Sequence, residues 1–168
     1  NVLVLGATNL PWALDTAIRR RFQKRILVNL PESEARTSII AHQLAKTPNT
    51  LTKEQFEQIG KMTAGFSGSD VSTLVRDAAL QEIRKVPTAT HFKAVVVSDG
   101  VTKYQPCDPS DSQARAMKWT DLPKDSLLIS PVTFDDFAKS LKTTRPTVSA
   151  EEAKKQVEWT MQFGEDGK

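Results

Sequence analysis

The most restrictive feature of this sequence is a short apolar run at residues 2–5 (VLVL), which ends at Gly6. A run without polar positions is typical of a strand buried on both faces, inside a parallel sheet that helices cover. A second candidate strand lies at residues 25–30. The segment between the two, with a helix predicted over residues 14–22, is long enough for a parallel crossover.

Two such strands cannot bury both faces of each other. We therefore interpret residues 1–31 as the last part of a larger α/β domain whose other strands lie outside this sequence. The alternative is a complete small α+β domain, which would leave the apolar strand uncovered.

The composition excludes several classes of protein. Hydrophobic residues make up 39% and charged residues 26% of the 168 residues, which is too apolar for a wholly disordered chain. No apolar run approaches the roughly 20 residues that span a bilayer. The formal charge of +3 permits an acidic partner without requiring nucleic acid. With a single cysteine, Cys107, no internal disulfide is possible, and we expect a reducing compartment and no secretory leader.

From residue 32 the pattern becomes helical. Ser33 is placed to cap a first helix, and Thr52 with Gln55 forms a capping box for a second. The helix that follows Ser67 has the clearest apolar stripe in the chain, which predicts a compact helical core. The members of that stripe are Val71, Leu74, Val75, Ala78, Ala79 and Ile83. Two further helices are predicted after Thr133 and Ser149.

Residues 92–131 differ from the rest of the helical part. Asp99-Gly100 lies between two β-forming segments, 94–97 and 101–104, which is a strong hairpin signal. Residues 117–119 (MKW) are a candidate for a further short strand. We interpret 92–131 as a β insertion that divides a helical domain into residues 32–91 and 132–148, with a C-terminal helix in 149–168.

Three groups of residues have the chemistry of a ligand site. Asn9 follows the first apolar strand, where open α/β sheets bind their ligands, although a plain turn residue explains it equally well. Arg19, Arg20 and Arg21 cannot all share one helical face, so we expect one or more of them to face a partner or a pocket, and guanidinium groups suit phosphate oxygens. The alternative is a solvated basic patch.

The third group is Gly68-Ser69, at a helix start whose N–H groups a ligand can approach closely. An ordinary helix cap is the alternative. His42, His91 and Cys107 have no metal-ligand spacing, so we predict no protein-held metal. Neither the phosphate loop Gly-x4-Gly-Lys-Ser/Thr nor an apolar strand ending in Asp-Glu occurs in the sequence.

Taken in order, three motifs resemble the second half of an AAA ATPase: residues 6–9 (GATN), 14–22 (LDTAIRRRF) and 65–70 (GFSGSD). Within that family the chain resembles the vacuolar protein sorting branch of the meiotic clade. The narrower resemblance rests on residues 89–93 (ATHFK), 106–107, 117–119, 144–148 (TRPTV) and 162–164 (QFG). It implies an α/β segment that ends a P-loop AAA large domain, then an α-helical small AAA domain with a β insertion and a C-terminal helix.

The resemblance also implies roles for particular residues. Asn9 matches the first sensor, which helps to place the attacking water. Arg20 and Arg21 match arginine fingers, which reach the γ-phosphate of an ATP held by the neighbouring subunit. Gly68 and Ser69 match the second-sensor helix start near adenine, with Ile39 as a wall of that pocket. Pro31 matches the hinge between the large and small domains. ATP and Mg²⁺ would be bound mainly by residues outside this sequence.

The implied function is disassembly of endosomal sorting (ESCRT) filaments by a homo-hexameric, cytoplasmic ATPase that is recruited to the endosomal membrane. An activator protein would bind the β insertion. We expect the chain alone to be inactive, because the groups that hold phosphates and Mg²⁺ are missing. The alternatives are an activator-binding module acting through residues 92–131, and a microtubule-severing relative. A nucleic-acid partner is not expected, because no aromatic-interleaved basic stripe is present.

Overall fold

The computed structural model describes residues 2–164, which form a helical domain, a small β-sheet and an N-terminal segment held by the last helix. The helices are α1 (Thr16–Arg21), α2 (Ser33–Leu44), α3 (Lys53–Met62), α4 (Gly68–Lys85), α5 (Phe134–Thr143) and α6 (Ala150–Phe163). The strands are β1 (His91–Val96), β2 (Thr102–Pro106) and β3 (Arg115–Ala116). Short 3₁₀ turns occur at Pro11–Ala13, Val86–Thr88 and Trp119–Asp121.

The core lies between α2, α3, α4 and α5. Its fully buried side chains include Ile40 and Leu44 of α2, Ile59 of α3, Leu74 of α4 and Phe137 of α5. Burying each of these side chains is worth about 1.5–3 kcal/mol, and their spacing along each helix places them on one face. The predicted helical domain is therefore confirmed.

The prediction that Ile83 belongs to the buried apolar stripe of α4 is wrong. Ile83 is 50% exposed, whereas Glu82 is 5% exposed and pairs with Lys85. At 100° per residue, position 82 lies about 20° from Val71 around the helix, and position 83 lies about 120° away. Glu82 thus lies on the buried face of α4, and its ion pair with Lys85 compensates for the cost of burying its carboxylate.

Most of the predicted helix starts are confirmed. Thr52 and Gln55 cap each other's backbone N–H groups at α3, and Ser67 and Asp70 do the same at α4. Ser149 and Glu152 cap α6 in this way. The exception is α2, where Glu32 occupies the N-cap position and Ser33 is the first helical residue, with no side-chain cap.

The hairpin in the β insertion is confirmed. Strands β1 and β2 pair antiparallel, with Ala94 opposite Tyr104 and Val96 opposite Thr102. Gly100 closes the turn with φ +78°, a conformation that glycine adopts without strain. The third strand differs from the prediction, because β3 lies at Arg115–Ala116 and pairs with His91 and Phe92. Met117 still donates a backbone hydrogen bond to Thr90, but Trp119 starts a 3₁₀ turn.

The two strands predicted in residues 1–31 do not form. The described residues 2–31 contain helical turns but no strand, and the side chains of Val2, Leu3, Val4 and Leu5 are 68–91% exposed. A strand needs a neighbour that completes its backbone hydrogen bonds, and no described residue supplies one here. The apolar pattern predicted strands that would need further strands and helices around them. In this structure the same residues are exposed and do not form strands.

The C-terminal helix α6 packs on the N-terminal segment. Lys155 Nζ lies 4.1 Å from the centre of the Trp12 ring, and Gln156 Nε2 donates to the backbone oxygen of Asn9 over 3.3 Å. At the end of α6, Phe163 contacts the guanidinium group of Arg19. The helix therefore holds the segment that carries two of the three candidate sites.

A buried arginine connects that segment to the helical domain. Arg36 of α2 is 6% exposed, and its Nη1 donates to the backbone oxygen of Pro31 over 2.5 Å. Its Nη2 and Nε donate to the oxygen of Gly60, and Nε also to the Thr63 hydroxyl, at the end of α3. One guanidinium group thus fixes the residue that leads into α2 against the last turn of α3.

Candidate functional site

The arginine cluster lies in the last turn of α1. Asp15 caps this short helix, since its Oδ1 accepts a hydrogen bond from the N–H of Ile18 over 2.8 Å. Arg19 is half-buried and donates to the Thr16 hydroxyl over 3.1 Å, with its guanidinium carbon 5.3 Å from the centre of the Phe163 ring. Of the three arginines, Arg19 is thus turned toward the protein's own last helix.

Arg20 and Arg21 are exposed. Within residues 2–164 neither forms a side-chain hydrogen bond or an ion pair. The positive charges of Arg20 and Arg21 repel each other, and solvent screens this repulsion because both side chains are exposed. These two guanidinium groups are available to an external anion.

Asn9 lies in the turn that precedes Pro11. Its side chain is exposed and makes no hydrogen bond to another described residue, while its backbone oxygen accepts from Gln156. The N–H of Leu10 donates to the Thr8 hydroxyl, so the turn is closed by Thr8. The Asn9 amide is thus free for a ligand while its backbone is held by α6.

Gly68 and Ile39 lie side by side at the start of α4. A Cβ built on Gly68 would be 4.0 Å from Cδ1 of Ile39, and nothing else lies within that distance. Gly68 is the first residue of α4, and Ser69 after it is exposed. The start of α4 therefore presents a surface of small side chains beside a partly buried isoleucine.

Asp70 stabilises this helix start. Its carboxylate accepts from the N–H and hydroxyl of Ser67 and also from the hydroxyl of Thr147, over 2.8 Å. Burial raises the pKa of Asp70, but the hydrogen bonds from Ser67 and Thr147 outweigh it and hold the pKa below its ordinary value. The start of α4 is thereby joined to the segment between α5 and α6.

The candidate residues form two groups in this structure. Asn9, Arg20 and Arg21 lie on the segment that α6 holds, whereas Ile39, Gly68 and Ser69 lie on the helical domain. Among the hydrogen bonds and ion pairs of residues 2–164, none joins one group to the other. They are connected through the backbone at Pro31, which Arg36 holds, and through α6, which contacts Asn9 and follows the segment that Asp70 binds at Thr147.

Two further searches cover the described residues. In residues 2–164 no group of three or more His, Cys, Asp or Glu side chains is arranged to hold a metal ion. Over the same range, none of the helices combines the length and the apolar character that a membrane crossing requires.

Comparisons with protein families identify two domains in the chain. The Vps4 C-terminal oligomerisation domain matches residues 104–164, and the AAA+ lid domain matches residues 53–95. The first match contains most of β2 and all of β3, α5 and α6, and the second contains α3, α4 and most of β1. The two matches together cover most of the helical domain and its β insertion.

Individual proteins match over nearly the whole chain. Vacuolar protein sorting-associated protein 4B of the mouse is 46% identical over 176 aligned positions, which cover 99% of this chain and 39% of that protein. The crystal structure of the FIGL-1 AAA domain in complex with ADP is 34% identical with a TM-score of 0.71, covering 96% of this chain and 45% of that one.

One similar solved chain is matched over its whole length by part of this chain. A chain in the crystal structure of Vps4 and Vta1 is 38% identical with a TM-score of 0.54, and the match covers 69% of this chain and 100% of that one. The chain thus spans about two fifths of the length of the curated relatives it matches. With a Vps4 C-terminal domain, an AAA+ lid and 46% identity to a Vps4 protein, the chain belongs to the AAA ATPase family, in its Vps4 branch.

Proposed function

We propose that this chain works as part of an AAA ATPase that hydrolyses ATP in a hexameric ring and disassembles ESCRT filaments. The observation that carries the proposal is the state of Arg20 and Arg21, which are exposed and form no ion pair among the described residues. Such a pair suits the γ-phosphate of an ATP held by the adjacent subunit. A trans-acting arginine of this kind is worth about 10³–10⁵ in rate.

The other candidate residues suit the nucleotide pocket of the chain's own subunit. Asn9 has a free amide on a backbone held by Gln156, which suits a group that orients the attacking water. Ile39 and Gly68 form an apolar, uncrowded surface suited to one face of adenine, with Ser69 at its edge. Because Arg20 and Arg21 belong to one subunit's pocket edge and the adenine surface to another pocket, each chain would contribute to two sites in the ring.

ATP and Mg²⁺ would be bound mainly by residues outside this chain. The sequence has no phosphate loop, and residues 2–164 contain no cluster of three metal-ligating side chains. When bound, Mg²⁺ neutralises charge on the β- and γ-phosphate oxygens. The residues present fit a supporting role at the edge of such a site, and the chain's part is to bind, orient and stabilise charge.

The β insertion is the proposed docking surface for an activator. Trp119 is 49% exposed and Met117 is partly exposed, both next to the short strand β3. An exposed tryptophan is a typical anchor of protein interfaces. A similar solved structure is titled as that of Vps4 and Vta1, which supports a partner protein in this branch. If the chain acts chiefly as a binding module, this surface alone would carry its activity.

We propose a cytoplasmic protein that is recruited to the endosomal membrane through its filament substrates. The Vps4 branch and the name of the mouse relative, a vacuolar protein sorting protein, support this proposal. The microtubule-severing alternative stays open, because the chain also matches a solved structure outside the Vps4 proteins, the FIGL-1 AAA domain, over 96% of its length. Binding of tubulin by the full-length protein, and not of filament proteins, would favour that alternative.

An ATPase assay on the purified 168-residue chain tests whether hydrolysis requires the phosphate-binding groups that this sequence lacks. We expect no turnover above background, because the phosphate-binding groups are not in this sequence. Turnover that disappears in the Arg20→Ala variant would contradict the proposal. The Arg115→Ala variant is a matched control, because Arg115 is also an exposed arginine but lies on β3.

A further inference from the structure

A single side-chain hydrogen bond joins helices α2 and α4. Among the hydrogen bonds within residues 2–164, only the one from Gln43 Nε2 to the Ser72 hydroxyl connects these two helices, over 2.6 Å. Gln43 is exposed and Ser72 is partly buried. The two helices are thus joined at one point on the surface as well as through the apolar core.

The joined residues lie one turn beyond the two proposed walls of the adenine surface. Gln43 follows Ile39 by four positions on α2, and Ser72 follows Gly68 by four positions on α4. Residues four apart in an α-helix lie on nearly the same face. The hydrogen bond therefore joins the same two helix faces that carry Ile39 and Gly68.

Ser72 also connects this hydrogen bond to Gly68 itself. Its hydroxyl donates to the backbone oxygen of Gly68 over 2.8 Å, while its oxygen accepts from Gln43. Hydrogen bonds in such a chain polarise and strengthen one another. The first turn of α4 is thereby anchored to α2 through Gln43, with Ser72 as the link.

Packing between the two helices is open on both sides of this hydrogen bond. On one side, Gln43 and Ser72 help to line a groove of about 380 Å³ between α2 and α4, with Ala79 among the other lining residues. On the other side, a Cβ built on Gly68 would be 4.0 Å from Cδ1 of Ile39, with nothing else within that distance. The hydrogen bond therefore supplies a contact between the helix edges that packing does not provide there.

We propose that Gln43 and Ser72 are positioning residues for the nucleotide base. Their hydrogen bond fixes the distance between Ile39 and Gly68, and so the fit of adenine on the surface that these two residues form. This role rests on the proposed function, which takes Ile39 and Gly68 as the adenine surface. A gap of about 0.5–1 Å forfeits roughly a quarter to a half of each van der Waals contact, so a small shift of α4 against α2 weakens the binding of the base.

Steady-state ATPase kinetics of the full-length protein that carries this segment test the role. Gln43→Met keeps the length of the side chain but not the donor, and Ser72→Ala removes the hydroxyl. In both variants we expect the KM for ATP to rise roughly three- to tenfold, the effect of one hydrogen bond, with kcat retained. The inhibition constant of inorganic tripolyphosphate, which has no base, should not change. Ser72→Thr keeps the hydroxyl and should restore the original KM.

Gln81→Met is the matched control. Gln81 Nε2 donates to the Ser140 hydroxyl over 3.2 Å, which is the same kind of bond between α4 and α5, and we expect it to leave the KM for ATP unchanged. The double variant Gln43→Met/Ser72→Ala should raise the KM no more than the larger of the two single effects, because both substitutions remove one hydrogen bond. Thermal melting checks that each variant folds.

The Ile39→Ala variant separates this role from the proposed function. If Ile39→Ala raises the KM for ATP while Gln43→Met and Ser72→Ala do not, the positioning role is overturned and the adenine surface stands. If Ile39→Ala also leaves the KM unchanged, the adenine surface is contradicted, and the positioning role with it. The positioning role is overturned as well if Gln43→Met weakens tripolyphosphate as much as ATP, because the effect then does not act on the base.

Discussion

The carboxylate of Asp70 accepts a hydrogen bond of 2.8 Å from the hydroxyl of Thr147, which lies 77 residues further along the chain. Asp70 also caps α4 through Ser67. A single buried side chain thus couples the helix start proposed for the adenine surface to the segment that leads into α6. The lid and the C-terminal helix are therefore expected to respond together when this hydrogen bond is removed.

Replacing Thr147 by valine should destabilise the chain by about 1–3 kcal/mol, because Asp70 then keeps its burial but loses a donor. The free energy of unfolding in urea measures the effect. Thr120→Val is the matched control, since its hydroxyl contacts only exposed Asp121, and we expect a change within about 0.5 kcal/mol. Equal effects of the two substitutions would contradict the coupling.

The stability should fall in acid. Burial raises the pKa of both Asp70 and Asp136, but hydrogen bonds from Ser67 and Thr147 at Asp70, and from Thr133 and Lys85 at Asp136, bring each pKa below its ordinary value. Near pH 4 the unfolded chain then binds more protons than the folded chain, so this stabilisation is present above about pH 4 and is lost as the pH falls through the lowered values.

Urea unfolding between pH 7 and pH 3 measures this dependence. We expect the urea concentration at the unfolding midpoint to decrease as the pH is lowered below about 5. The Asp70→Asn variant should be less stable at pH 7 but should lose less on acidification, because it no longer titrates at that position. A profile of the variant parallel to that of the original chain would show that Asp70 does not contribute.

Gly60 lies where α3 packs tightly against α2. A Cβ at this position would overlap the Thr37 hydroxyl and lie 2.9 Å from the backbone oxygen of Ser33. Gly60→Ala should therefore cost about 1–3 kcal/mol of stability, as measured by thermal or urea unfolding. Gly68→Ala provides the control, because its Cβ would make only an ordinary contact with Ile39, and we expect little change. A neutral Gly60→Ala would mean that the two helices can separate freely.

Arg36 should hold the orientation of the arginine segment. The Arg36→Lys variant keeps the charge but cannot donate at once to Pro31, Gly60 and Thr63. We expect faster amide hydrogen exchange around residues 31–36 and at the end of α3, with α5 unaffected. Arg84→Lys is the control, since Arg84 pairs with Asp77 on an exposed surface. Unchanged exchange in Arg36→Lys would contradict this role.

The sequence predicted local features well because their causes are local. The Thr52, Ser67 and Ser149 caps each depend on a partner three residues away, and the Asp99-Gly100 turn depends on the φ angle that Gly100 adopts. These features need no knowledge of the rest of the fold. They placed α3, α4, α6 and the hairpin correctly.

Features that depend on distant residues were predicted wrongly or not at all. The run at residues 2–5 matches a buried strand, but a strand forms only beside a partner, and these residues are exposed. The exposure of Ile83 depends on how far the core extends along α4. No local pattern indicates that Asp70 meets Thr147 or that Gln156 meets Asn9.

For the arginine cluster, helix geometry predicted that Arg19, Arg20 and Arg21 point in different directions, but not which of them faces the protein. It required that the three diverge, because adjacent residues of a helix lie about 100° apart. Which of them turns inward depends on Phe163, 144 positions away, whose ring receives Arg19. The roles of Arg20 and Arg21 remain predictions that only a functional measurement can test.

That measurement is a mixing experiment with the full-length protein that carries this segment. One variant loses its phosphate loop, and the other carries Arg20→Ala and Arg21→Ala, so each alone is expected to lack ATPase activity. If the arginines act on the neighbouring subunit's ATP, mixed rings contain interfaces with both an intact phosphate loop and an intact arginine pair, and mixing restores turnover. If mixing leaves the two proteins as inactive as they are apart, while gel filtration shows that they assemble together, the trans role of Arg20 and Arg21 is contradicted.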